Sequence, residues 1–315
     1  MKITRGYRDR PQRPYPVATI GNFDGHHIGH RALLQAVLRS ARQAGGTALV
    51  LTFDPHPVKI LAPEVKLRFL TDPEEKLARF EAAGIDEVVL LEFNESFARL
   101  SPEAFVKDVL VEGLGLKEII VGRHFAFGHK RAGKIADLMA LGEKQGLLVH
   151  SLSPVEQEGI IVSSTRIRQL VQAGNVGEAA NLLGRQYAIA GVVRPGSQRG
   201  QRLGWPTANL ALPADRVIPP DGVYATITVV NQQRLDSVAY IGKRPTFDGG
   251  ERLLEVYVLK GTHDLYGRSI TVEFIERVRD DIQFAGHEEL SRQIASDVTS
   301  AATMLRRHHE SIGAS

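Results

Sequence analysis

The hydrophobic positions of the first half of the chain alternate between two periods. Short β-branched apolar runs predict buried strands at residues 17–23, 47–53, 87–93, 118–121 and 147–151. Between these runs, apolar residues recur at helical spacing over residues 32–44, 73–83, 102–110 and 134–145. Strand–helix alternation at this spacing predicts a parallel sheet covered on both faces, which is a Rossmann-like α/β domain.

The pattern changes near residue 185. Two helical segments, 164–173 and 176–183, come first, and then strand-like runs follow, separated by turns rich in Gly, Pro or Asn. These runs, at 186–193, 222–230, 235–241, 253–259 and 269–277, predict a small antiparallel β-barrel. Residues 288–307 then form one amphipathic helix, with Leu290, Ile294 and Val298 on its apolar face. We therefore predict two domains, residues 1–184 and 185–315.

Composition narrows the class of protein. Hydrophobic residues make up 43% and charged residues 24%, as in ordinary soluble globular proteins. The 39 basic residues nearly balance the 36 acidic ones and aromatics are 6%, so we expect no nucleic-acid partner. The absence of cysteine excludes disulfides, cysteine-ligated metals and thiol nucleophiles. With no apolar run of about 18 residues and no signal-peptide core, we expect no membrane span and a cytoplasmic location. No feature indicates an oligomeric state.

A first candidate site lies at residues 21–30, G-N-F-D-G-H-H-I-G-H, where a predicted strand gives way to a helix. The N-terminus of a helix offers free backbone N–H groups and a positive dipole end to a phosphate. His27 and His30 are three residues apart, so their imidazoles share one side of the first turn. There they can stabilise charge that develops on a phosphate under attack. A glycine-rich turn with two surface histidines is the alternative; a metal site would lack a third ligand at short spacing.

A second candidate site lies at residues 196–209, a glycine-rich, basic segment interrupted by Pro206. Thr207 and Asn209 alternate, so on a short strand both side chains point to one face. A hydroxyl and an amide oxygen side by side suit Mg²⁺, which prefers oxygen ligands. The segment contains no G-x-x-x-x-G-K-[ST] and is therefore not a P-loop. A flexible basic loop leading into a strand is the alternative.

Several motifs in order along the chain resemble known families. Residues 21–30 resemble the H-x-G-H signature of the nucleotidyltransferase superfamily. The flanking motifs resemble those of the prokaryotic bifunctional riboflavin kinase/FAD synthetase family: T-F-D-P-H-P at 52–57, V-G-R-H-F-A-F-G at 121–128 and S-S-T-R-I-R at 163–168. In the second half, the matching motifs are P-T-A-N at 206–209, P-D-G-V-Y-A at 220–225, G-K-R-P-T-F at 242–247 and D-L-Y-G at 264–267. The resemblance covers almost the full length.

The resemblance implies that riboflavin and ATP give FMN, that FMN and a second ATP give FAD and pyrophosphate, and that Mg²⁺ accompanies the ATP. It implies a nucleotidyltransferase domain followed by a barrel kinase domain. In the first domain it implies catalytic roles for His27 and His30. The implied contacts with ATP and its phosphates are Gly21, Phe23, Asp24, Gly29, Ser163, Ser164, Thr165 and Arg168, followed in the kinase domain by Gly196, Arg202, Gly204 and Pro206. The implied flavin contacts are His56, His124, Phe125 and Phe127, and the implied metal ligands are Thr207 and Asn209.

The kinase reaction also needs a base for the terminal ribityl hydroxyl of riboflavin. The family carries a glutamate on the strand before the D-L-Y-G turn, and counting back gives Glu255, with Glu251 as its rival. Glu255 faces the side opposite Leu254 and Val256, so it is either on the ligand side or an ordinary solvent-facing glutamate.

One position departs from the family pattern. The family usually carries Asp or Asn where this chain has His124, which differs in charge, size and geometry. Two alternatives therefore stay open beside the bifunctional enzyme. One is a riboflavin kinase whose adenylyltransferase module is weak or inactive. The other is a non-catalytic flavin- or nucleotide-binding regulator, against which the retention of His27, His30, Thr207, Asn209 and Glu255 argues.

Overall fold

The computed structural model describes residues 1–8, 12–194, 205–243, 252–261 and 263–313. The chain divides into two compact units, Met1–Ser164 and Thr165–Ser315. The first unit is built on a parallel sheet and the second on a closed antiparallel barrel.

The sheet of the first unit has the strand order β1–β4–β3–β2–β5–β6, and each neighbouring pair is parallel. Its strands are β1 Lys2–Arg5, β2 Pro16–Ile20, β3 Thr47–Asp54, β4 Glu87–Glu92, β5 Glu118–Gly122 and β6 Leu148–Leu152. A separate two-stranded hairpin pairs β7 Glu156–Gln157 with β8 Ile160–Ile161. The helices of this unit are α1 Ile28–Gln43, α2 Pro57–Leu61, α3 Pro73–Ala82, α4 Glu95–Ala98, α5 Pro102–Ala104 and α6 Ile135–Gln145. Directly after α5 the chain continues as a π-helical segment, Phe105–Gly113.

Helices cover this sheet on both faces. Leu49 and Leu51 of β3 pack with the π-helical segment and with Leu138 of α6. Their neighbour Val50 points the other way, because side chains alternate along a strand, and packs with α1 and with Phe80 of α3. A parallel sheet buried on both faces requires near-continuous apolar strands, which explains why the strand runs of the first half lack polar alternation.

The barrel of the second unit closes in the order β10–β13–β12–β11–β14–β9. Its elements are α7 Ser164–Gln172, α8 Val176–Leu183, β9 Tyr187–Arg194, β10 Ala208–Ala211, β11 Gly222–Val230, β12 Gln233–Lys243, β13 Arg252–Val258, β14 Ser269–Asp280 and α9 His287–Gly313. Ala301 and Leu305 of α9 pack on one face of β11, against Val223, Ala225 and Ile227. The alternate residues of β11 point into the barrel, where Thr226 and Thr228 hydrogen-bond with Ser237.

The fold class predicted from the sequence is confirmed, but several details differ, and short elements such as α2, α4 and the β7–β8 hairpin were not predicted. The strand predicted to reach residue 23 ends at Ile20, because Phe23 adopts a φ of +53°. β1 was not predicted; its four residues alternate without a clear apolar run. Only the first residues of the predicted helix 102–110 are α-helical. Finally, α7 and α8 group with the barrel, so the compact units divide at 164/165; the boundary at 184/185 stays a prediction about the functional modules.

Among the described helices, none combines the length and the apolar character that a bilayer crossing requires.

A buried ion pair ties the beginning of the chain to the sheet. Arg13 donates to both carboxylate oxygens of Glu87 on β4, from Nη2 at 2.7 Å and from Nε at 2.8 Å. Thr4 of β1 adds a third hydrogen bond at 2.6 Å. Both charged side chains are at most 5% exposed. Burial by itself raises the pKa of the Glu87 carboxyl, but the hydrogen bonds from Arg13 and Thr4 outweigh it, so the pKa lies below the ordinary value.

We predict that Arg13→Met destabilises the first unit by about 3 kcal/mol at pH 7, because it leaves Glu87 buried and uncompensated. Since the folded-state pKa of Glu87 is lowered, the contribution of its charge is present above the unfolded-state pKa and is lost as the pH falls through the folded one. Urea unfolding of wild type and variant measures the difference. Arg99→Met, which removes an exposed ion pair with Glu95, is the control and should change stability by less than about 1 kcal/mol. Equal stability losses in both variants would contradict the assignment.

Candidate active sites

The first candidate site is a sharp loop between β2 and α1. The backbone hydrogen bond from Gly21 N to Leu51 O, 3.1 Å, marks the point where the chain leaves the sheet. Phe23, Gly25 and His26 then all adopt positive φ, at +53°, +84° and +43°. Such conformations are costly for residues other than glycine and persist where the surroundings hold them in place.

Asp24 supplies much of that restraint. Its buried carboxylate accepts hydrogen bonds from the backbone N–H groups of Leu70 and Thr71, at 2.9 and 3.1 Å. The Thr71 hydroxyl donates to the same carboxylate at 3.2 Å and accepts from Gly25 N at 3.1 Å. Ser164 donates to the backbone carbonyl of Asp24 at 2.8 Å. The carboxylate of Asp24 thus holds the loop in place, and its contact with ATP or its phosphates stays a prediction.

His27 and His30 stand together at the first turn of α1. Their rings are stacked, with centroids 3.6 Å apart and 18° between the planes. His27 caps the helix, because its Nδ1 accepts the backbone N–H of His30 at 3.3 Å. A neutral imidazole with Nδ1 as acceptor carries its proton on Nε2, so His27 offers an Nε2–H donor. The sequence-predicted pair is therefore adjacent, with both rings on one side of the turn.

The charge state of His30 follows from its surroundings. Burial first, and then the nearby His27 and His26, lower the pKa of His30 well below the ordinary value. The ring also lies edge-on to Phe23, with centroids 5.1 Å apart. Among the described residues, the buried Nδ1 atom of His30 has no hydrogen-bond partner. His30 is therefore neutral at pH 7 and can act only as a hydrogen-bond donor or acceptor to a ligand.

Two glycines make room for these rings. A Cβ atom at Gly29 would lie 3.2 Å from Nδ1 of His27, and one at Gly21 would lie 3.3 Å from the ring of Phe23. The two positions therefore favour glycine for packing as well as for approach of a ligand. Contact of Gly21, Phe23 and Gly29 with ATP stays a prediction.

The S-S-T-R-I-R motif marks the beginning of α7. Ser163 precedes the helix, Ser164 is its first residue, and Thr165 and Arg168 lie on its first turn. Ser164 donates a hydrogen bond to the backbone carbonyl of Asp24 and so supports the loop there. Phosphate contacts by Ser163, Ser164, Thr165 and Arg168 stay predictions.

The four predicted flavin contacts differ in how far their side chains are buried. The side chain of Phe127 is buried, and a Cβ atom at Gly133 would lie 2.8 Å from its ring. Flavin contact by this residue stays a prediction. Phe125 stacks parallel to it at 5.7 Å and is half-buried, while His124 is exposed. His56 caps α2 through a hydrogen bond from Val58 N at 3.2 Å, and its ring meets that of Phe69.

Lys76 is a residue that the sequence analysis missed. It lies in the first turn of α3, and its Nζ atom is 3.3 Å from the hydroxyl of Thr52. Burial lowers the pKa of Lys76, while the charges of Asp24 and Asp54 act in the opposite direction. No motif contains this lysine; its position becomes visible only when α3 packs on the sheet.

The second candidate site is a row of three residues across neighbouring barrel strands. Asn209 of β10 is the register partner of Glu255 on β13, and Glu255 is the partner of Tyr240 on β12. Tyr240 packs in the cluster of α9, so all three side chains lie on the outer, helix-bearing face of the barrel. The opposite face carries the buried Leu254 and Val256. Glu255 thus lies beside a proposed metal ligand and is not an isolated surface glutamate.

Acidic and aromatic groups surround this row. The Tyr240 hydroxyl donates a hydrogen bond to Asp281 at 3.1 Å. Burial, together with the charge of Asp281, raises the pKa of the Tyr240 hydroxyl. A Cβ atom at Gly242 would overlap the Tyr240 ring, so the ring position depends on this glycine. Tyr257 shares the face of Glu255 and meets Trp205 edge-on, with centroids 5.2 Å apart. This aromatic pair was not predicted from the sequence. The two-residue spacing between Glu255 and Tyr257 could have indicated that Tyr257 lies on the same face of β13 as the proposed base.

The predicted metal ligands, Thr207 and Asn209, both carry a side-chain oxygen atom, the ligand type that a hard cation prefers. The amide nitrogen of Asn209 lies 3.4 Å from the backbone oxygen of Thr207, which turns the amide oxygen away from that carbonyl. Asn209 is buried, and Thr207 is half-buried immediately before β10. An amide and a hydroxyl oxygen leave most of an octahedral Mg²⁺ shell to phosphate and water, as is usual for this ion. Gly196, Arg202, Gly204 and Glu251 lie outside the described residues, and Pro206 is exposed.

Comparisons with known proteins identify a family for each half of the chain. Residues 10–166 match the family model of FAD synthetase, and residues 183–305 match that of riboflavin kinase. The bifunctional riboflavin kinase/FMN adenylyltransferase of Escherichia coli (strain K12) is 38% identical over 304 residues, which are 96% of this chain and 97% of the relative. That of Pseudomonas fluorescens is 39% identical over 310 residues, 96% and 98% of the two chains. The chain belongs to this bifunctional family.

A solved structure supports the same fold over the full chain. It is described as a macrolide-efflux protein from Streptococcus pneumoniae, and it matches with 31% identity and a TM-score of 0.87, covering 96% of this chain and 99% of the other. That description names a different role. The two family models and the curated relatives agree with one another on flavin-nucleotide synthesis.

We predict that the His30 ring stays neutral at pH 6 in the folded protein. The reason is its burial against His27 and Phe23, which disfavours the imidazolium. Two-dimensional ¹⁵N NMR of histidine-labelled protein between pH 5 and pH 8 measures the protonation of each ring, and His30→Ala assigns the signal. The same sample unfolded in urea is the control, where the ring should titrate near pH 6.5. A folded-state titration of His30 at pH 6.5 or above would contradict the prediction.

Proposed function

We propose that this chain makes FMN from riboflavin and FAD from FMN, each step using one ATP. The observation that carries the proposal is that each compact unit has its own chemical cluster. The first unit holds the stacked His27–His30 pair at a helix N-terminus, and the second holds the Asn209–Glu255 pair on the barrel. The substrates we assign are riboflavin, FMN and ATP, with Mg²⁺, and the location we assign is the cytoplasm.

In the kinase reaction, Glu255 accepts the proton of the terminal ribityl hydroxyl while that oxygen attacks the γ-phosphorus of ATP and ADP leaves. Tyr240 and Asn209 flank Glu255 on the neighbouring strands and restrict where its carboxylate can point. Thr207 and Asn209 would hold Mg²⁺, which supplies charge neutralisation at the phosphates. The Trp205–Tyr257 pair offers an aromatic wall next to the base, suited to the flavin ring.

In the adenylyl transfer, a phosphate oxygen of FMN attacks the α-phosphorus of ATP and pyrophosphate leaves. The nucleophile is already an anion, so the protein need not remove a proton. The task of this unit is to position two polyanions and to stabilise the added charge in the transition state. The N–H donors of His27 and His30, together with the N-terminus of α1, can do this without a charged imidazole.

A second candidate function is a riboflavin kinase with a weak adenylyltransferase. The observation that favours it is His124, an exposed imidazole at a position where the family usually has Asp or Asn. One experiment separates the two candidates. Pure protein is incubated with riboflavin, ATP and Mg²⁺, and riboflavin, FMN and FAD are separated by chromatography over time. FAD formation supports the bifunctional enzyme; FMN accumulation without FAD supports the second candidate.

We predict that Glu255→Gln slows FMN formation from riboflavin at least about 100-fold, because the amide cannot accept the hydroxyl proton. FAD formation from supplied FMN should stay within about twofold of wild type, since that reaction uses the other unit. The matched control is Glu276→Gln, an exposed glutamate on β14, which should leave both rates unchanged. If Glu255→Gln retains the wild-type kinase rate, the base is assigned to the wrong residue.

We predict the opposite pattern for His30→Ala. FAD formation should fall about 100-fold, because a hydrogen-bond donor to the reacting phosphate is lost. FMN formation from riboflavin should be unaffected. His129→Ala, an exposed histidine on the loop before α6, serves as the control in the same chromatographic assay. Parallel losses of both activities in His30→Ala would refute two separate sites.

A further inference from the structure

The ammonium group of Lys76 lies at the edge of the parallel sheet from which the loop of the first candidate site departs. It is 3.3 Å from the hydroxyl of Thr52, a fully buried residue near the carboxyl end of β3. The preceding residue, Leu51, is the one whose carbonyl accepts the backbone N–H of Gly21. Lys76 therefore lies at the level of the sheet where the 21–27 loop leaves β2.

The cation is not neutralised by its neighbours. Asp24 and Asp54 are near enough to attract it, yet among the described residues neither forms an ion pair with Lys76. The carboxylate of Asp24 is occupied by Leu70 and Thr71, and that of Asp54 pairs with Arg5 at 3.1 Å. Lys76 is thus a half-buried cation without an ion-pair partner among the described residues.

The hydrogen-bond capacity of Lys76 is also unfilled. An ammonium group has three donors, and in the described part of the chain the Lys76 Nζ atom has one acceptor, the Thr52 hydroxyl. Burying a charge with so few partners is costly and lowers its pKa, as found here. A ligand that brings negative charge and several acceptor oxygens to the same place would remove that cost. A phosphate group has both properties, and lysine binds phosphate as a point charge.

We propose that Lys76 binds a phosphate group in the adenylyltransferase site, next to the helix N-terminus that carries His27 and His30. The proposal rests on the proposed function of the first unit. Two neutral imidazoles provide hydrogen bonds but no charge, and Asp24 adds a negative charge to the loop. Lys76 supplies a positive charge at this edge of the sheet. The phosphate belongs either to FMN or to the ATP triphosphate, and the kinetics below distinguish the two.

The test is Lys76→Met, which keeps the length and apolar volume of the side chain and removes the charge. We expect kcat/KM for FAD formation from supplied FMN to fall about 100-fold. A rise in KM for FMN alone identifies the FMN phosphate, and a rise in KM for ATP alone identifies the triphosphate. A loss confined to kcat identifies the phosphate under attack. FMN formation from riboflavin in the same preparation should be unchanged.

A purely structural lysine gives a different result. Removal of a poorly solvated charge should leave the thermal unfolding temperature unchanged or raise it, while a structural role would lower it. Lys107→Met, an exposed lysine in the π-helical segment, is the matched control and should match wild type in every measurement. If Lys76→Met fails to fold, Lys76→Gln gives the same test, because it keeps a donor to Thr52 without the charge. A folded variant that makes FAD at the wild-type rate overturns the proposal.

A binding measurement keeps this inference separate from the proposed function. Wild-type protein labelled with ¹³C at the lysine Cε is titrated with inorganic pyrophosphate, with FMN and with riboflavin, and Lys76→Met assigns the Lys76 signal. A shift of that signal with pyrophosphate or FMN, but not with riboflavin, supports phosphate binding even if the wild type forms no FAD. No shift with any phosphate-bearing ligand overturns it, even if FAD is formed.

Discussion

Backbone pairing between strands sets the position of the candidate catalytic side chains in both units. In the first unit, the hydrogen bond from Gly21 to Leu51 fixes the level at which the chain leaves the parallel sheet, and the carboxyl ends of neighbouring strands meet at the same edge. In the second, the antiparallel register places Asn209, Glu255 and Tyr240 side by side. A register shift of one residue would turn Glu255 into the barrel and Leu254 outward. The proposed kinase chemistry therefore depends on the observed strand register.

The loop of the first unit shows how charge is distributed around that backbone. The buried carboxylate of Asp24 accepts hydrogen bonds from the 70–71 segment and holds the strained residues Phe23 and His26 in place. The histidines beside it are stacked, with centroids 3.6 Å apart. Burial and the neighbouring histidines lower the pKa of His30, and Nδ1 of His27 accepts the His30 N–H and so carries no proton. Positive charge for a polyanionic ligand then has to come from another element, and α3 provides Lys76 at this edge of the sheet.

Local sequence was sufficient for part of this structure. The strand and helix periods predicted both architectures, and H-x-G-H and P-T-A-N located the two clusters, because each motif is a continuous segment with a defined backbone. Lys76, Tyr240 and Asp281 were not predicted, because they come from different elements and meet the clusters only through tertiary packing. Local sequence also does not show the tertiary partners of two motif residues. The Thr71 hydroxyl donates to the Asp24 carboxylate, and the Phe127 ring packs against Gly133.

The candidate catalytic residues of the two units differ because only one of the two reactions requires the protein to remove a proton from the nucleophile. A ribityl hydroxyl is neutral and has to lose a proton as its oxygen attacks, so the barrel needs a carboxylate, and Glu255 can supply it. FMN phosphate is already ionised, so a base in the first unit would have no task there. Hydrogen-bond donors and a cation suffice, and neutral histidines offer N–H donors without the acidic imidazolium proton that could pass to the anionic nucleophile. Glu255 in one unit and the His27–His30 pair in the other follow from this difference.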